Sequence, residues 1–338
     1  FLSLCERSQK SIDLFAEDKV LRDKFLSRES LIPLIGINPP NLSLKDFHFR
    51  ASIQLTAGII KSESFAGLYT EYLNQRISSI AKDHVNDKKW RNNFFIAAMG
   101  SYGSSELSFA SDIDLVFVVQ EIQKYSSIQN DIQKLLLNLK ENLPGLEIDC
   151  RLRPEGKSSQ LVWDIEDYKK YFTNRARIWE LQAFTKCRFV FGNGTLFNDF
   201  YNHHQKISKG KDLKLVKSEM MEMRKKLLPV NDGSVNIKKS SGCLYDIDFI
   251  KSFIHLTKPE KDSLKLNFEQ LVNNFNFLKQ IELLNQNIFN TRLSKIPTDE
   301  LKLKKLSIEC GFENSKYFMR KLIEVIQQNR NYYQEIFN

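Results

Sequence analysis

Asp112 and Asp114, separated by one isoleucine, stand at the start of an apolar run that extends to Val119. The run is short and rich in β-forming residues, so it predicts a buried strand. Because side chains at positions i and i+2 of a strand point to the same side, the two carboxylates should project together. Neighbouring carboxylates repel each other, and a divalent cation that prefers oxygen ligands, such as Mg²⁺, is the natural compensating partner.

An earlier apolar run, Phe94 to Met99, ends in the pair Gly100-Ser101. It predicts a second buried strand followed by a tight turn. Glycine lets the backbone approach a ligand closely, and serine adds a hydroxyl and an N–H, so the turn is suited to hold a phosphate. The paired carboxylates would then hold a metal ion against that phosphate. The alternative is a simple hairpin in which one aspartate is a cap and the other is solvated.

The stretch Leu146 to Pro154 alternates apolar and charged residues, which predicts a third strand. Asp149, Arg151 and Arg153 share its charged face. If this strand lies beside that of Asp112, Asp149 adds a third carboxylate, and the two arginines could pair with phosphates. Three carboxylates suit a two-metal phosphoryl-group transfer in which one of them orients or deprotonates the acceptor oxygen. A solvent-facing edge strand is the alternative.

The elements that must position these residues are mostly helices. Helical spacing of apolar residues predicts helices before the first strand, a helix over Ile128 to Leu143, and helices throughout the sequence after Arg188. We therefore expect an α+β fold that is mostly helical around a small mixed sheet. We divide it into a helical lead-in (1–88), a catalytic domain with the sheet (89–205) and a C-terminal helical bundle (206–338).

Other polar and aromatic residues carry weaker expectations. His203 and His204 lie among Asn and Gln residues and are expected at the surface, whereas Trp163 and Trp179 are expected in the core. Asp246 and Asp248 fall on a predicted helix, where residues two apart do not share a face. Either one of these aspartates reaches the site or Arg151, or both are ordinary surface or capping carboxylates.

Composition places the chain among folded soluble proteins. It has 338 residues, 42% of them hydrophobic and 27% charged, which is enough for a sizeable core. No apolar run is long enough to span a bilayer, and no secretory leader is visible. The cysteines are scattered without a Cys-x-x-Cys pair, which argues against zinc and a disulfide framework and favours the cytoplasm. The absence of an initiator Met predicts a piece of a longer chain.

The net charge of +9 suits an anionic partner such as a nucleotide, a nucleic acid or an acidic protein surface. Lysines are spread along the whole chain, and most of them are expected on solvated helix faces. No aromatic-rich basic module of the kind that reads RNA is visible, so a nucleic acid partner is not expected. Membrane binding is not expected either.

The order Gly-Ser, residues 102–111 and Asp-Ile-Asp resembles the signature of the nucleotidyltransferase superfamily, which has the DNA polymerase β-like fold. The resemblance sharpens to the glutamine synthetase adenylyltransferase family. Four stretches resemble, in order, that family's MGKLGG-x-ELN-x-SSDIDLIF, D-x-RLRP-x-G, WE-x-x-A-x-x-x-AR and GG-x-x-DIEF. They are Met99 to Asp114, Asp149 to Lys157, Trp179 to Arg188 and Gly242 to Phe249.

Three of the departures from the family pattern bear on the site. Ser101 replaces the lysine of MGKLGG, Ser104 replaces its last glycine, and Asp248 replaces the glutamate of DIEF. Loss of the lysine could remove a phosphate contact, whereas Ser101 restores the plain Gly-Ser pair of the wider superfamily. Because the three aspartates are retained, we expect an active enzyme.

The resemblance implies a nucleotidyltransferase (protein adenylyltransferase) that acts in nitrogen metabolism. Family members have two related halves: one transfers AMP from ATP to a tyrosine of glutamine synthetase, and the other removes it by phosphorolysis. Leu4 to Ser8 and Trp179 to Gly192 resemble the transferase half more closely, so we predict the transferase. Glutamine synthetase is the implied protein substrate, and a nitrogen-signalling regulatory protein is a further partner that the resemblance allows.

The resemblance also assigns roles at the site. Two Mg²⁺ ions and the ATP substrate are implied. The catalytic and metal-binding residues are Asp112, Asp114 and Asp149, and the nucleotide-binding residues are Gly100, Ser101, Arg151 and Arg153. Three alternatives stay open: the adenylyl-removing half of the same family, a nucleotidyltransferase that acts on RNA, and a non-catalytic regulatory module.

Overall fold

A computed structural model describes residues 2–35, 42–209, 211–230, 232–259 and 266–338. The predicted fold class is confirmed: the chain is α+β and mostly helical, with a small mixed sheet. None of the helices in these residues is both long enough and apolar enough to cross a membrane.

The N-terminal part of the described chain is helical, as predicted. Its helices are α1 (Leu2–Arg7), α2 (Gln9–Glu17), α3 (Lys19–Leu26), α4 (Leu44–Thr56) and α5 (Ser62–Val85). Ser8, Asp18 and Ser43 precede three of these helices, and each side chain accepts a backbone N–H of the first turn. These caps satisfy donors that a helix start otherwise leaves unpaired, so they fix where the helices begin.

The sheet contains both apolar runs that were predicted as strands. Its strands are β1 (Phe94–Met99), β2 (Ile113–Val119), β3 (Ile148–Asp149), β4 (Val162–Asp164) and β5 (Arg188–Gly192). Strand β1 lies between β2 and β5 and is antiparallel to both. The outer edge of β2 is shared by two parallel partners, with β3 beside its start and β4 beside its end. The chain therefore leaves this edge after β3 and returns to it at β4.

The remaining helices connect the strands and then form the C-terminal part. They are α6 (Gly100–Gly103), α7 (Ile128–Asn142), α8 (Ile165–Asn174), α9 (Ile178–Phe184), α10 (Gly194–Ser208), α11 (Leu213–Leu227), α12 (Leu244–Thr257), α13 (Phe268–Phe289), α14 (Glu300–Glu309) and α15 (Ser315–Phe337). Helix α7 ends one residue before the predicted boundary at Leu143, and the periodic stretches after residue 188 are helical as expected.

The hydrophobic core lies on both faces of β1. Alternate residues of this strand point into different clusters, because successive side chains of a strand face opposite sides. Phe94, Ile96 and Ala98 pack in a cluster with α4, α5 and α7, which we call the N-terminal core. Phe95, Ala97 and Met99 pack with helices α8 to α15, and we call that cluster the C-terminal core. Burial on both faces explains why β1 is apolar at every position.

The strand predicted over Leu146 to Pro154 is wrong in extent. Only Ile148 and Asp149 pair with β2. The carboxylate of Asp149 accepts the backbone N–H of Arg151 at 2.8 Å, a local bond that turns the chain away from the sheet. Arg151 and Arg153 therefore lie in the loop between β3 and β4, not on the charged face of a strand.

Two other predictions are also wrong. His204 is fully buried, with its ring centroid 5.0 Å from that of Phe172 and 4.4 Å from that of Phe184. Burial lowers the pKa of His204 to about 3, so the imidazole is neutral in the core. Trp179, expected in the core, is 39% exposed. Trp163 is partly buried and packs against the C-terminal core.

Candidate active site

Three strand ends bring the predicted carboxylates to one end of the sheet. Met99, the last residue of β1, lies opposite Asp114 in β2, and Asp114 lies beside Asp149 in β3. Asp112 directly precedes β2 and is exposed, whereas Asp114 and Asp149 are partly buried. Gly100 and Ser101 follow β1 at the same end, so the phosphate-binding turn that the sequence predicts is next to the aspartates.

The site holds more negative charge than its surroundings compensate. Burial raises the pKa of Asp114 to about 6, and repulsion from Asp149 and Asp112 adds to the increase. Burial and then repulsion from Glu147 raise the pKa of Asp112 as well. Burial also acts to raise the pKa of Asp149, but hydrogen bonds from Arg151 hold it below the ordinary value. A cation bound near Asp112 and Asp114 would relieve the repulsion.

Arg151 supplies the positive charge nearest to Asp149. Its Nε donates to Oδ2 of Asp149 at 2.5 Å, and the Arg151 side chain is 60% exposed. With Asp149 paired in this way, no group of three acidic, imidazole or thiol side chains among the described residues is arranged to hold a metal ion. The oxygen donors nevertheless match a hard cation in type, and the raised pKa of Asp114 marks the charge that such an ion would neutralise.

The turn after β1 brings backbone against one carboxylate. Gly100 begins α6 with a φ of +56°, and a Cβ at this position would overlap Oδ2 of Asp114. The Ser104 N–H donates to the Gly100 carbonyl at 3.1 Å, and the Glu106 N–H donates to the Ser101 carbonyl at 2.8 Å. Glycine is therefore required at position 100 both for the backbone angle and for the close approach to Asp114.

We expect Gly100→Ala to lower the free energy of unfolding by about 1–3 kcal/mol, because the added methyl group must displace the Asp114 carboxylate. Gly145→Ala is the matched control, since Gly145 also has a positive φ (+85°) but has no neighbouring atom within 4 Å of an added Cβ. Urea unfolding curves of both variants test this, and unchanged stability of Gly100→Ala would contradict it.

Arg153 is used inside the loop between β3 and β4. Its Nε donates to the Gln160 carbonyl at 2.9 Å, Nη2 donates to the Ser159 carbonyl at 3.1 Å, and Nη1 donates to the Cys150 carbonyl. These bonds connect the two ends of the loop. A phosphate contact from Arg153 stays a prediction, and in this structure Arg151 is the arginine with the more exposed guanidinium.

Residues 65–202 match the family model described as glutamate-ammonia ligase adenylyltransferase. The matched range includes the three aspartates, the turn at Gly100 and both arginines. Over these residues the chain is similar to the glutamate-ammonia ligase adenylyltransferase family. The family resemblance inferred from the sequence is confirmed by this match, which includes the first three of the four stretches.

Full-length relatives of this family are much longer than the chain. It is similar to proteins named bifunctional glutamine synthetase adenylyltransferase/adenylyl-removing enzyme from Shewanella frigidimarina (31% identity over 56% of this chain and 22% of the relative), Chromobacterium violaceum (29%, 63% and 26%) and Mannheimia succiniciproducens (25%, 78% and 32%). The chain thus spans less than a third of the length of each of these relatives.

The family-like stretch after Gly242 contains a buried ion pair. Asp246 lies on α12 with its side chain 3% exposed, and its Oδ1 accepts from Nε of Arg224 on α11 at 2.5 Å. The Gly242 N–H donates to Oδ2 of Asp246 at 2.6 Å. Asp246 therefore joins α11, α12 and the turn before α12, which is neither a surface nor a catalytic position.

Asp246→Ala is expected to lower the free energy of unfolding by about 3–5 kcal/mol, because it leaves the Arg224 guanidinium buried without its partner. The double variant Arg224→Met/Asp246→Leu should recover most of that loss, since both charges are then removed. Urea denaturation of the three proteins measures the difference. A double variant as unstable as the single one would contradict this account.

A second charged cluster connects the turn after β1 to α12, and we call it the Glu106 cluster. Lys186 Nζ lies 3.1 Å from Oε2 of Glu106 and 3.0 Å from Oδ1 of Asp248, and Lys251 Nζ lies 3.2 Å from Oε1 of Glu106. Burial acts to raise the pKa of Glu106, but the two lysines lower it to about 2. Ser104 also donates to Glu106 at 2.7 Å, so the cluster supports the turn that begins at Gly100.

Sequence reasoning did not assign a role to Glu106, Lys186 or Lys251. The sequence did contain an indication of a role for two of them, since Glu106 and Lys186 both lie within stretches that resemble the family. What the sequence did not supply was their proximity, since the residues that form the cluster come from separate segments of the chain. The sequence left two alternatives for Asp248: a residue that reaches the site or Arg151, or an ordinary surface or capping carboxylate. The structure places Asp248 near the turn at Gly100, as the first alternative anticipated.

A cavity of about 270 Å³ lies beside Gly100, between the turn and helices α9, α11 and α12. Most of its wall is apolar. Side chains that form the wall include Leu152, Trp179, Ala183, Met223, Leu227 and Phe249. An apolar cavity next to a cluster of carboxylates and a glycine turn can hold the flat part of a ligand whose charged part lies at the sheet.

Proposed function

We propose that the chain is a Mg²⁺-dependent nucleotidyltransferase that transfers AMP from ATP to a tyrosine of glutamine synthetase. The observation that carries this proposal is the register of Met99, Asp114 and Asp149 across three strands, next to Gly100, within the residues that match the family model. The names of the relatives describe the same reaction and the same protein substrate. We further propose that the chain acts in the cytoplasm, and that residues 89–205 form the catalytic unit between the helical segments 1–88 and 206–338.

In this proposal Asp112, Asp114 and Asp149 would hold the metal ions, which requires Asp149 to be free of its present pairing with Arg151. Mg²⁺ would supply charge neutralisation at the ATP phosphates and would favour the phenolate form of the tyrosine. Arg151 would then be able to pair with the phosphates. Asp149 would orient the tyrosine hydroxyl and accept its proton as that oxygen attacks the α-phosphorus.

The turn and the cavity bind the rest of the nucleotide in this proposal. Gly100 and Ser101 would contact the phosphates through backbone N–H groups and the Ser101 hydroxyl. The mostly apolar cavity beside Gly100 lies next to the site residues, and we propose that it holds the adenine base. The leaving pyrophosphate would then be directed toward Arg151 and, if its loop opens, Arg153.

The adenylyl-removing reaction is the second candidate, because the relatives are named for both activities. It would use the same aspartates: phosphate attacks the phosphorus of adenylylated tyrosine, the bond to the tyrosine oxygen breaks, and ADP leaves. The geometry of the carboxylates serves either direction. Only the substrates supplied distinguish the two reactions.

The test is incubation of the chain with glutamine synthetase, Mg²⁺ and α-labelled ATP, followed by measurement of label on the synthetase. We expect label transfer that disappears with Asp112→Asn. Asp167→Asn, which alters an exposed carboxylate on α8, is the control that should stay active. Release of labelled ADP from adenylylated synthetase and phosphate, without transfer, would assign the removing reaction. Absence of both reactions would reject the proposed function.

A further inference from the structure

Polar side chains interrupt the apolar wall of the cavity beside Gly100. They are Gln182 on α9, Lys186 shortly after α9, and Tyr245, Asp248 and Ser252 on α12. Sites for flat organic ligands commonly combine apolar walls with a small number of polar groups that fix orientation and specificity. Within this set Gln182 supplies the amide and Asp248 the carboxylate, and their acceptor oxygens could distinguish one ligand from another.

Asp248 has hydrogen-bonding capacity that the protein does not use. Its side chain is 23% exposed, and its polar partner among the described residues is Lys186, whose Nζ lies 3.0 Å from Oδ1. A carboxylate can accept about four hydrogen bonds through its two oxygens. The Lys186 ammonium group also pairs with Glu106, so it has fewer N–H donors left for Asp248. Asp248 thus retains acceptor positions at the cavity wall.

Gln182 adds a second acceptor without a donor. Its Oε1 is buried and accepts no hydrogen bond from the described residues. Buried polar atoms in proteins are nearly always paired, so an unpaired oxygen at a cavity wall indicates a missing partner. Gln182 and Asp248 both offer acceptors here, and the ammonium group of Lys186 is already shared between Asp248 and Glu106, so the missing partner should be a hydrogen-bond donor.

We infer that Asp248, assisted by Gln182, recognises the exocyclic amino group of adenine and makes the site selective for 6-aminopurine over 6-oxopurine nucleotides. This inference rests on the proposed function. The amino group of adenine offers two N–H donors, whereas a 6-oxo group offers only lone pairs and would face the Asp248 carboxylate unfavourably. The apolar walls suit the flat base, and Gly100 at the edge of the cavity leads from the base toward Asp114.

Lys186 is a positioning residue in this arrangement. Its ammonium group holds one oxygen of Asp248 and one of Glu106, and so fixes the carboxylate that would receive the amino group. The same ammonium connects base recognition to the turn at Gly100 through Glu106 and Ser104. Selection of the base and support of the phosphate-binding turn therefore share one cluster.

The test is equilibrium binding of ATP and of inosine triphosphate, which differs from ATP in having an oxo group at position 6. Binding is measured with Mg²⁺ present by isothermal titration calorimetry, and it requires no glutamine synthetase. We expect the unaltered chain to prefer ATP at least about tenfold. In Asp248→Asn, whose amide can either donate or accept, the preference should fall to about threefold or less. Asp167→Asn is the control and should keep the full preference.

Equal weakening of ATP and inosine triphosphate by Asp248→Asn would overturn the inference, because a purely structural role affects both nucleotides alike. Equal binding of the two nucleotides to the unaltered chain would overturn it too, because a contact with the group at position 6 must distinguish them. Either result leaves the proposed function intact if AMP transfer is observed. Failure of the unaltered chain both to bind ATP and to transfer AMP would reject the proposed function, and this inference with it.

Discussion

Asp114→Asn is expected, under the proposed function, to reduce AMP transfer by about 10³-fold or more, because it removes a carboxylate that would hold a metal ion at the ATP phosphates. The substitution keeps the shape of the side chain, so the turn at Gly100 should remain in place. Label transfer to glutamine synthetase measures the effect. Asp167→Asn serves as the control, and an Asp114→Asn variant with ordinary activity would contradict the proposed site.

The same variant should be more stable than the unaltered chain at pH 7 when metal is removed with EDTA. The pKa of Asp114 is about 6 in the folded chain, against an ordinary value of 3.8. A raised carboxylate pKa means that the folded state binds more protons than the unfolded state between these values, so stability falls as pH rises through this window. This difference of roughly two pKa units lowers the free energy of unfolding of the unaltered chain by about 3 kcal/mol at pH 7. Asp114→Asn does not suffer that loss.

Urea unfolding in EDTA at pH 7 and pH 5 tests this sign. The unaltered chain should gain stability from Asp114 on going from pH 7 to pH 5, and the gain should be smaller in Asp114→Asn. Glu106, with a pKa of about 2, stays ionised across this range and does not obscure the comparison. Equal pH dependence of the two proteins would show that folding does not raise the pKa of Asp114.

Gly103→Ala is expected to lower the free energy of unfolding by about 3 kcal/mol or more. A Cβ on Gly103 would overlap the carbonyl oxygen of Lys186 and lie 2.8 Å from that of Ala98. Both are backbone atoms and cannot rotate away, so α6 would have to move off the sheet. The shift would also displace the Arg188 guanidinium, whose Nε donates to the Gly103 carbonyl at 3.2 Å.

Gly67→Ala is the matched control for this prediction. Gly67 lies in the middle of α5, is exposed, and has no atom within 4 Å of an added Cβ. There the same substitution should raise the free energy of unfolding by about 0.5–1 kcal/mol, because Ala loses less backbone freedom than Gly in a helix. Thermal or urea unfolding of both variants gives the comparison. Similar changes in the two proteins would contradict the close contact at Gly103.

The strands that carry the site were predictable because their burial is simple. Strand β1 is apolar throughout, since both of its faces are covered, and β2 is apolar after Asp114 for the same reason. The sequence predicted that Asp149 lies near the other aspartates only if its strand pairs with β2, because nothing in the sequence fixes which strand lies beside β2. In the structure this pairing exists over two residues, Ile148 and Asp149.

The failures have local and long-range causes. Alternation after Asp149 predicted a strand, but a single carboxylate-to-backbone bond at Arg151 turns the chain, and such competition is not visible in a periodic pattern. His204 lies among polar residues in sequence, yet the face of α10 that carries it packs on Phe172 and Phe184. The Glu106 cluster depends on contacts between residues far apart in the chain, which spacing alone does not reveal.

Strand β1 is paired along both edges and covered on both faces, and each of its residues is buried. Amide hydrogens of such a strand exchange with deuterium only when the surrounding structure opens as a whole. We therefore expect the amides of Phe95 to Ala98 to be among the slowest to exchange, and the loop around Arg151 to exchange early. Asp114 and Asp149 would then belong to a protected sheet, while Arg151, the present partner of Asp149, would belong to a segment that opens more readily.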